Sequence, residues 1–141
     1  MLFPLIRSFS SFTVPGAHSF FILSKGNNAG RPGLRPWPNS FIVTCHNEDT
    51  YNFYFWLTHA AFLSGKFKLR LRGSVIPFII VHDVRDLLRS LAPAIRNDWK
   101  HFQDVLGSME KLSGLKSSSL QQVKTSEDLQ KALVQHYFQG Y

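Results

Sequence analysis

The sequence predicts an α+β fold: a small basic β-sheet part around one buried helix, followed by a mostly helical C-terminal part. Three observations predict it. Short apolar runs bounded by Gly, Pro and Asn lie in the first half, the mark of buried strands. Residues 51–63 are apolar on nearly every side, as a central helix is. From Asp83 onward, Val84, Leu88, Leu91, Ile95, Trp99, Phe102, Leu106 and Met109 recur every three or four positions, the period of a helix.

A chain of 141 residues, 44% of them hydrophobic, is expected to form a single domain, 1–141, with a core that needs no disulfide or metal. Residues 1–17, with Pro4, Pro15 and Gly16, read as an irregular N-terminal arm that packs through its phenylalanines. Residues 18–81 form the strand-rich basic part. In it, "HSFFILS" (18–24) is a buried strand and "SFIVTC" (40–45) the next, rich in β-branched residues. Between them, "KGNNAGRPGLRPWPN" (25–39) is a loop by its chemistry, with three Gly, three Pro and three Asn. Asn47 suits the N-cap of the following helix, Glu48 and Asp49 suit its dipole, and Gly65 ends it.

"KFKLRLR" (66–72) alternates with period two and reads as a half-buried strand, Phe67, Leu69 and Leu71 facing inward. "SVIPFIIV" (74–81) reads as a further strand, which Pro77 assigns to an edge or a bulge. Residues 82–141 form the helical part. Pro93 kinks the long helix or divides it in two. "SGLKSSSLQQVK" (113–124) is a polar connection, and Thr125 with Asp128 resembles a capping box that opens a last helix to about Gln139.

The net charge of +7 is unevenly spread. Residues 1–81 hold eight Lys or Arg against two acids, a net of +6; residues 82–141 hold eight against seven, a net of +1. Such asymmetry points to a polyanionic partner. On a strand, Lys66, Lys68, Arg70 and Arg72 would form one cationic row with neighbours about 6 to 7 Å apart. That row reads as a contact with a polyanion, as protection of a sheet edge, or as a partner for acids of the second half. The loop adds Lys25, Arg31 and Arg35 with no acid. Its Gly and Asn residues suit a backbone nest for an anion, and Trp37 suits either stacking on a base or folding onto the core. Arg85, Arg89, Arg96 and Lys100 fall on one face of the long helix and read as solvated.

Enzyme signatures are poor. The single cysteine, Cys45, excludes a disulfide framework and a zinc site built on several cysteines, and reads as a buried small residue. His46, Glu48, Asp49, His59 and the "VHD" at His82–Asp83 contain groups that a metal or a hydrolase uses, and they read as structural histidines and a capped helix. No catalytic residue, metal ligand or cofactor is assigned. "MLFPLIRSFSSF" lacks a cationic region ahead of its apolar stretch, and no apolar run reaches about 18 residues, so neither a secretory signal nor a membrane contact is expected. The expected location is the cytoplasm.

At "SKGNNAGRP" (24–32), "PWPNSFIV" (36–43) and "GSVIPFI" (73–79) the chain resembles a small family of uncharacterised proteins of Bacteroidetes genomes and their mobile elements. The resemblance implies no active site. Its setting favours nucleic-acid handling or interference with a host protein. The expectation is therefore a non-enzymatic accessory protein that binds nucleic acid, DNA or RNA, mainly through phosphates, using Lys25, Arg31, Arg35, Trp37, Lys66, Lys68, Arg70 and Arg72. The alternative is a protein-interaction module, a regulator or inhibitor that offers the same surface to an acidic partner protein.

Overall fold

Strands β1 (Leu5–Ser8), β2 (Ser19–Leu23), β3 (Pro32–Gly33) and β4 (Ser40–Thr44) make one antiparallel sheet in the order β1-β4-β2-β3. Helices α1 (Glu48–Leu63), α2 (Val81–Asn97), α3 (Trp99–Lys116) and α4 (Val123–Phe138) follow. The structure is a computed structural model that describes residues 1–116 and 123–141. Sheet first and helices after is the expected α+β class with its helical C-terminal part.

Register decides which residues meet the helices. Ile6 and Phe20 both pair with Val43, and Ile22 pairs with Phe41, so these five share a face. They join Phe53, Tyr54, Leu57, Val84 and Leu88 in one buried cluster. Each such side chain stabilises the fold by about 1.5–3 kcal/mol through burial. Phe21 and Ile42 point the other way and are buried as well. Phe9 stands edge-on to Phe21 at 5.2 Å, and the Trp37 indole lies over Gly33, the cross-strand neighbour of Phe21. Loops thus cover the outer face of the sheet. Trp37 packs half-buried on this outer face, over Gly33, and is not part of the main core cluster.

Helix α1 starts as expected: the Asn47 side chain accepts a hydrogen bond from the Thr50 amide at 2.8 Å. It buries Phe53, Tyr54, Leu57, Ala60 and Ala61. The long apolar stripe is also real. Val84, Leu88, Leu91 and Ile95 of α2 and Phe102, Leu106 and Met109 of α3 are buried. The division falls at Asp98 rather than at Pro93, which sits inside α2 on its exposed side. Helix α4 begins at Val123, two residues before the Thr125 expected to open it. Of the expected polar connection, 113–116 belongs to α3, and 117–122 lies outside the described residues.

Four expectations are corrected. The arm 1–17 is not wholly irregular, because Leu5–Ser8 pairs with β4. Four residues with one buried side chain, Ile6, are too few to show a period. The run 66–72 is not a strand. It follows α1 after a reversal at Gly65, and its backbone closes on itself: Lys68 N–H donates to Gly65 O and Arg70 N–H to Phe67 O, around a 3-10 turn at Lys68–Arg70. A turn of three residues brings every third side chain to one side. Phe67 is accordingly buried and Arg70 half-buried, whereas Leu69 is 88% exposed. Nor is 74–81 a strand. Arg72 and Phe78 exchange backbone hydrogen bonds of 2.8 and 2.9 Å, the intervening residues reverse the chain, and Val81 already starts α2.

The fourth correction concerns the line on α2. Arg85 donates from Nε to the Ile6 carbonyl at 3.1 Å and again from Nη2. Arg89 lies 4.6 Å over the Phe3 ring. Arg96 donates to the Tyr54 hydroxyl at 3.1 Å and covers the Phe53 ring. These three arginines contact β1, the N-terminal segment and α1; Arg85 is half-buried, whereas Arg89, Arg96 and Lys100 stay exposed as a solvated face requires.

Candidate anion-binding cleft

A concave site forms where the basic part meets α4, from three separated segments. Helix α1 contributes His59, Phe62 and Leu63 from its last turns. Past its end, Phe67 plugs into the core and leaves the next residue, Lys68, outside. The loop 25–31 lies against the same Phe67. Its backbone is held by Gly30 N–H to Leu23 O at 2.7 Å and by two turn bonds, Ala29 N–H to Gly26 O and Arg31 N–H to Asn28 O, both 3.1 Å. Ala29 is buried, so Asn28 and Arg31 project on either side of it. Helix α4 supplies Glu127, Lys131 and Gln135, spaced four apart along one face, and Gln130 beside them. Together these residues line a cleft of about 490 Å³.

The cleft is electropositive. Arg31, Lys68 and Lys131 line it against one carboxylate, Glu127. Among the described residues none of these three cations is held in an ion pair, whereas Arg72 is bound to Asp83 at 3.1 Å and His82 to Asp86 at 3.0 Å. The His59 ring is braced edge-on by Trp56 at 5.8 Å. Burial first, and the Arg31 charge second, push its imidazole below the ordinary pKa. His59 is therefore neutral at pH 7, a donor and an acceptor at once.

The eight residues expected to form one surface are distributed over several. Arg31 and Lys68 meet in the cleft. Lys66 stacks 4.9 Å over the Phe138 ring. With Leu69 and Arg70 it borders a second groove, of about 610 Å³, whose other lining residues include Leu87, Leu91 and Ala94 of α2 and Tyr141. Arg72 is committed to Asp83 through both Nε and Nη2. Lys25 is exposed beside Phe78, to which its backbone is paired. Arg35 is exposed, and Trp37 belongs to the outer face of the sheet. The single cationic row does not form, because a 3-10 turn sends successive side chains in three directions rather than two.

Sequence reasoning missed Lys131, Gln130 and Gln135, and read His59 as a structural histidine after weighing it as a metal or hydrolase group. The 127/131/135 spacing is visible in the sequence, but nothing local tells that this face of α4 crosses the end of α1. Among the described residues no three His, Cys, Asp or Glu side chains cluster to hold a metal ion, and no helix is long and apolar enough to cross a membrane. Cys45 is buried, and burial pushes its thiol up to about 11.

Comparison with curated proteins and with solved structures gives no match. Residues 6–136, which span the sheet, all three contributors to the cleft and nearly the whole of α4, match one family throughout, and the chain belongs to that family, the family of unknown function DUF6943.

Proposed function

We propose that the protein is a non-enzymatic accessory protein that binds nucleic acid, chiefly through phosphates held in the cleft by Arg31, Lys68 and Lys131. The observation that carries this reading is the contrast among the cations. Arg72, Arg85, Arg89 and Arg96 have structural partners, while the three cations of the cleft come from three distant segments and face one concave space. Three like charges brought together against a single carboxylate, Glu127, repel on balance, and an anionic ligand relieves that repulsion. The net of +6 on residues 1–81 gives such a ligand a long-range attraction. An association with mobile elements, as the sequence resemblance suggests, fits a role on nucleic acid.

The test is salt-dependent binding of a labelled 20-nucleotide DNA or RNA to nuclease-treated protein. Replacing Arg31, Lys68 and Lys131 together by Gln is expected to weaken binding to every sequence. It should also flatten the slope of log affinity against log salt by about 2 to 3, at about 0.7 to 0.9 per phosphate contact. An unchanged slope with an intact fold rejects the cleft as the phosphate site. Binding of an acidic protein by the same surface, with no affinity for nucleic acid, would favour an interaction module instead.

A further inference from the structure

Resting on that reading, we propose that the cleft holds one unpaired nucleotide, its phosphate on Arg31, Lys68 and Lys131 and its base inside, so that the protein prefers single strands over duplex. The size argues first. A space of about 490 Å³ lies in the range of small-molecule sites, and a phosphate alone would leave most of it unfilled. A base pair inside a duplex cannot enter, because its two bases are stacked and joined to the opposite strand.

The lining argues second. Phosphate recognition needs only cations and N–H groups, yet the same cleft presents Phe62 and the His59 ring, and the exposed side-chain amides of Asn28 and Gln135. Rings supply a surface on which a base packs, and an amide offers a donor and an acceptor together, as base edges require. His59, neutral through burial and braced by Trp56, keeps both functions of its ring. The amides of Asn28 and Gln135 make the site tolerant of several bases, since each can present either group. The preference is expected to be for unpaired nucleotides rather than for one sequence.

The experiment compares four probes on the full chain at one salt concentration: a 12-nucleotide single strand, the blunt duplex of the same sequence, an abasic 12-unit deoxyribose-phosphate strand, and inorganic phosphate. The single strand is expected to bind about tenfold or more tighter than the duplex, and the abasic strand at least about fivefold weaker than the intact one. The double variant Asn28→Ala, Gln135→Ala changes amides on exposed side chains and is expected to narrow the gap between intact and abasic strands while leaving the salt slope in place. Equal binding of intact, abasic and duplex probes overturns the single-nucleotide site and leaves phosphate binding standing. Failure of all four probes to bind overturns both.

Discussion

Gly30 packs its bare Cα against Phe67, and that contact joins the two basic segments. A methyl group at Gly30 would stand 2.7 Å from Phe67 Cβ and inside the ring's van der Waals surface. The backbone there has φ +100°, which side chains other than glycine rarely adopt. Gly26 has a similar φ of +92° with nothing within 4 Å, so it isolates the backbone cost. Gly26→Ala is expected to lower stability by about 1–2 kcal/mol in urea unfolding. Gly30→Ala should cost more than that, because the ring must also move, and should weaken oligonucleotide binding by displacing Arg31 from Lys68. Equal stabilities of the two variants would show that the loop does not rest on Phe67.

The cations of 66–72 are expected to act unequally. Lys68→Gln should reduce the salt slope by about 0.7 to 0.9 and leave stability nearly unchanged. Arg72→Gln should leave the slope in place and lower stability by about 1 kcal/mol, since Arg72 is 54% exposed while its partner Asp83 is only 14% exposed. Equal effects of the two on the salt slope would restore the picture of one continuous row.

His59 makes binding and stability depend on pH in opposite senses. Its folded pKa lies below the ordinary 6.5. In the window between those two values the unfolded chain binds the proton and the folded chain does not, so stability is lost as pH falls below about 6.5. A phosphate in the cleft favours the imidazolium, so affinity should rise over the same interval. The protein has five other histidines, so the comparison that isolates the effect is with His59→Gln, read by chemical denaturation and oligonucleotide titration from pH 7.5 to 5. Superimposable pH profiles for the two proteins would remove His59 from the cleft chemistry.

Cys45, with its thiol pKa pushed up to about 11 by burial, is expected to react very slowly with a disulfide reagent at pH 8 in the folded protein. It should react fully once denaturant is added. Rapid stoichiometric labelling without denaturant would place the thiol outside the core.

Arg85 ties α2 to the edge strand β1 through the Ile6 carbonyl. Arg85→Met keeps the aliphatic stem and removes the charge-assisted bonds, and it should cost about 1.5–3 kcal/mol. Amide hydrogen exchange in Leu5–Ser8 should rise before exchange in β2 does. Uniform protection of both strands in the variant would mean that β1 is held by its ladder with β4 alone.

Much of the fold was legible because its signals are local. The Asn47 cap needs only the amide of Thr50, three residues on. Strands β2 and β4 are short β-branched and aromatic runs between turn residues, and the α2–α3 stripe repeats at helical spacing over seven turns. The uneven charge is a property of composition and survives any fold. From these the sequence by itself determined the α+β class, the order of sheet and helices, and the basic character of the first part.

Only the tertiary structure decided what the charges do. "KFKLRLR" carries the period of a strand, but a strand also needs a partner edge, and here the backbone closes into a 3-10 turn past the end of α1 while Phe67 is buried in the core. Lys131 and His59 enter the candidate site because α4 packs across the end of α1, far apart in the chain. Arg85, Arg89 and Arg96 gain structural contacts because β1, Phe3 and α1 come to lie beside α2, although Arg89 and Arg96 stay exposed. A cation's partner is set by distance in space, where Coulomb and hydrogen-bond energies act, and residue order constrains that distance only over the few positions of a turn or a cap.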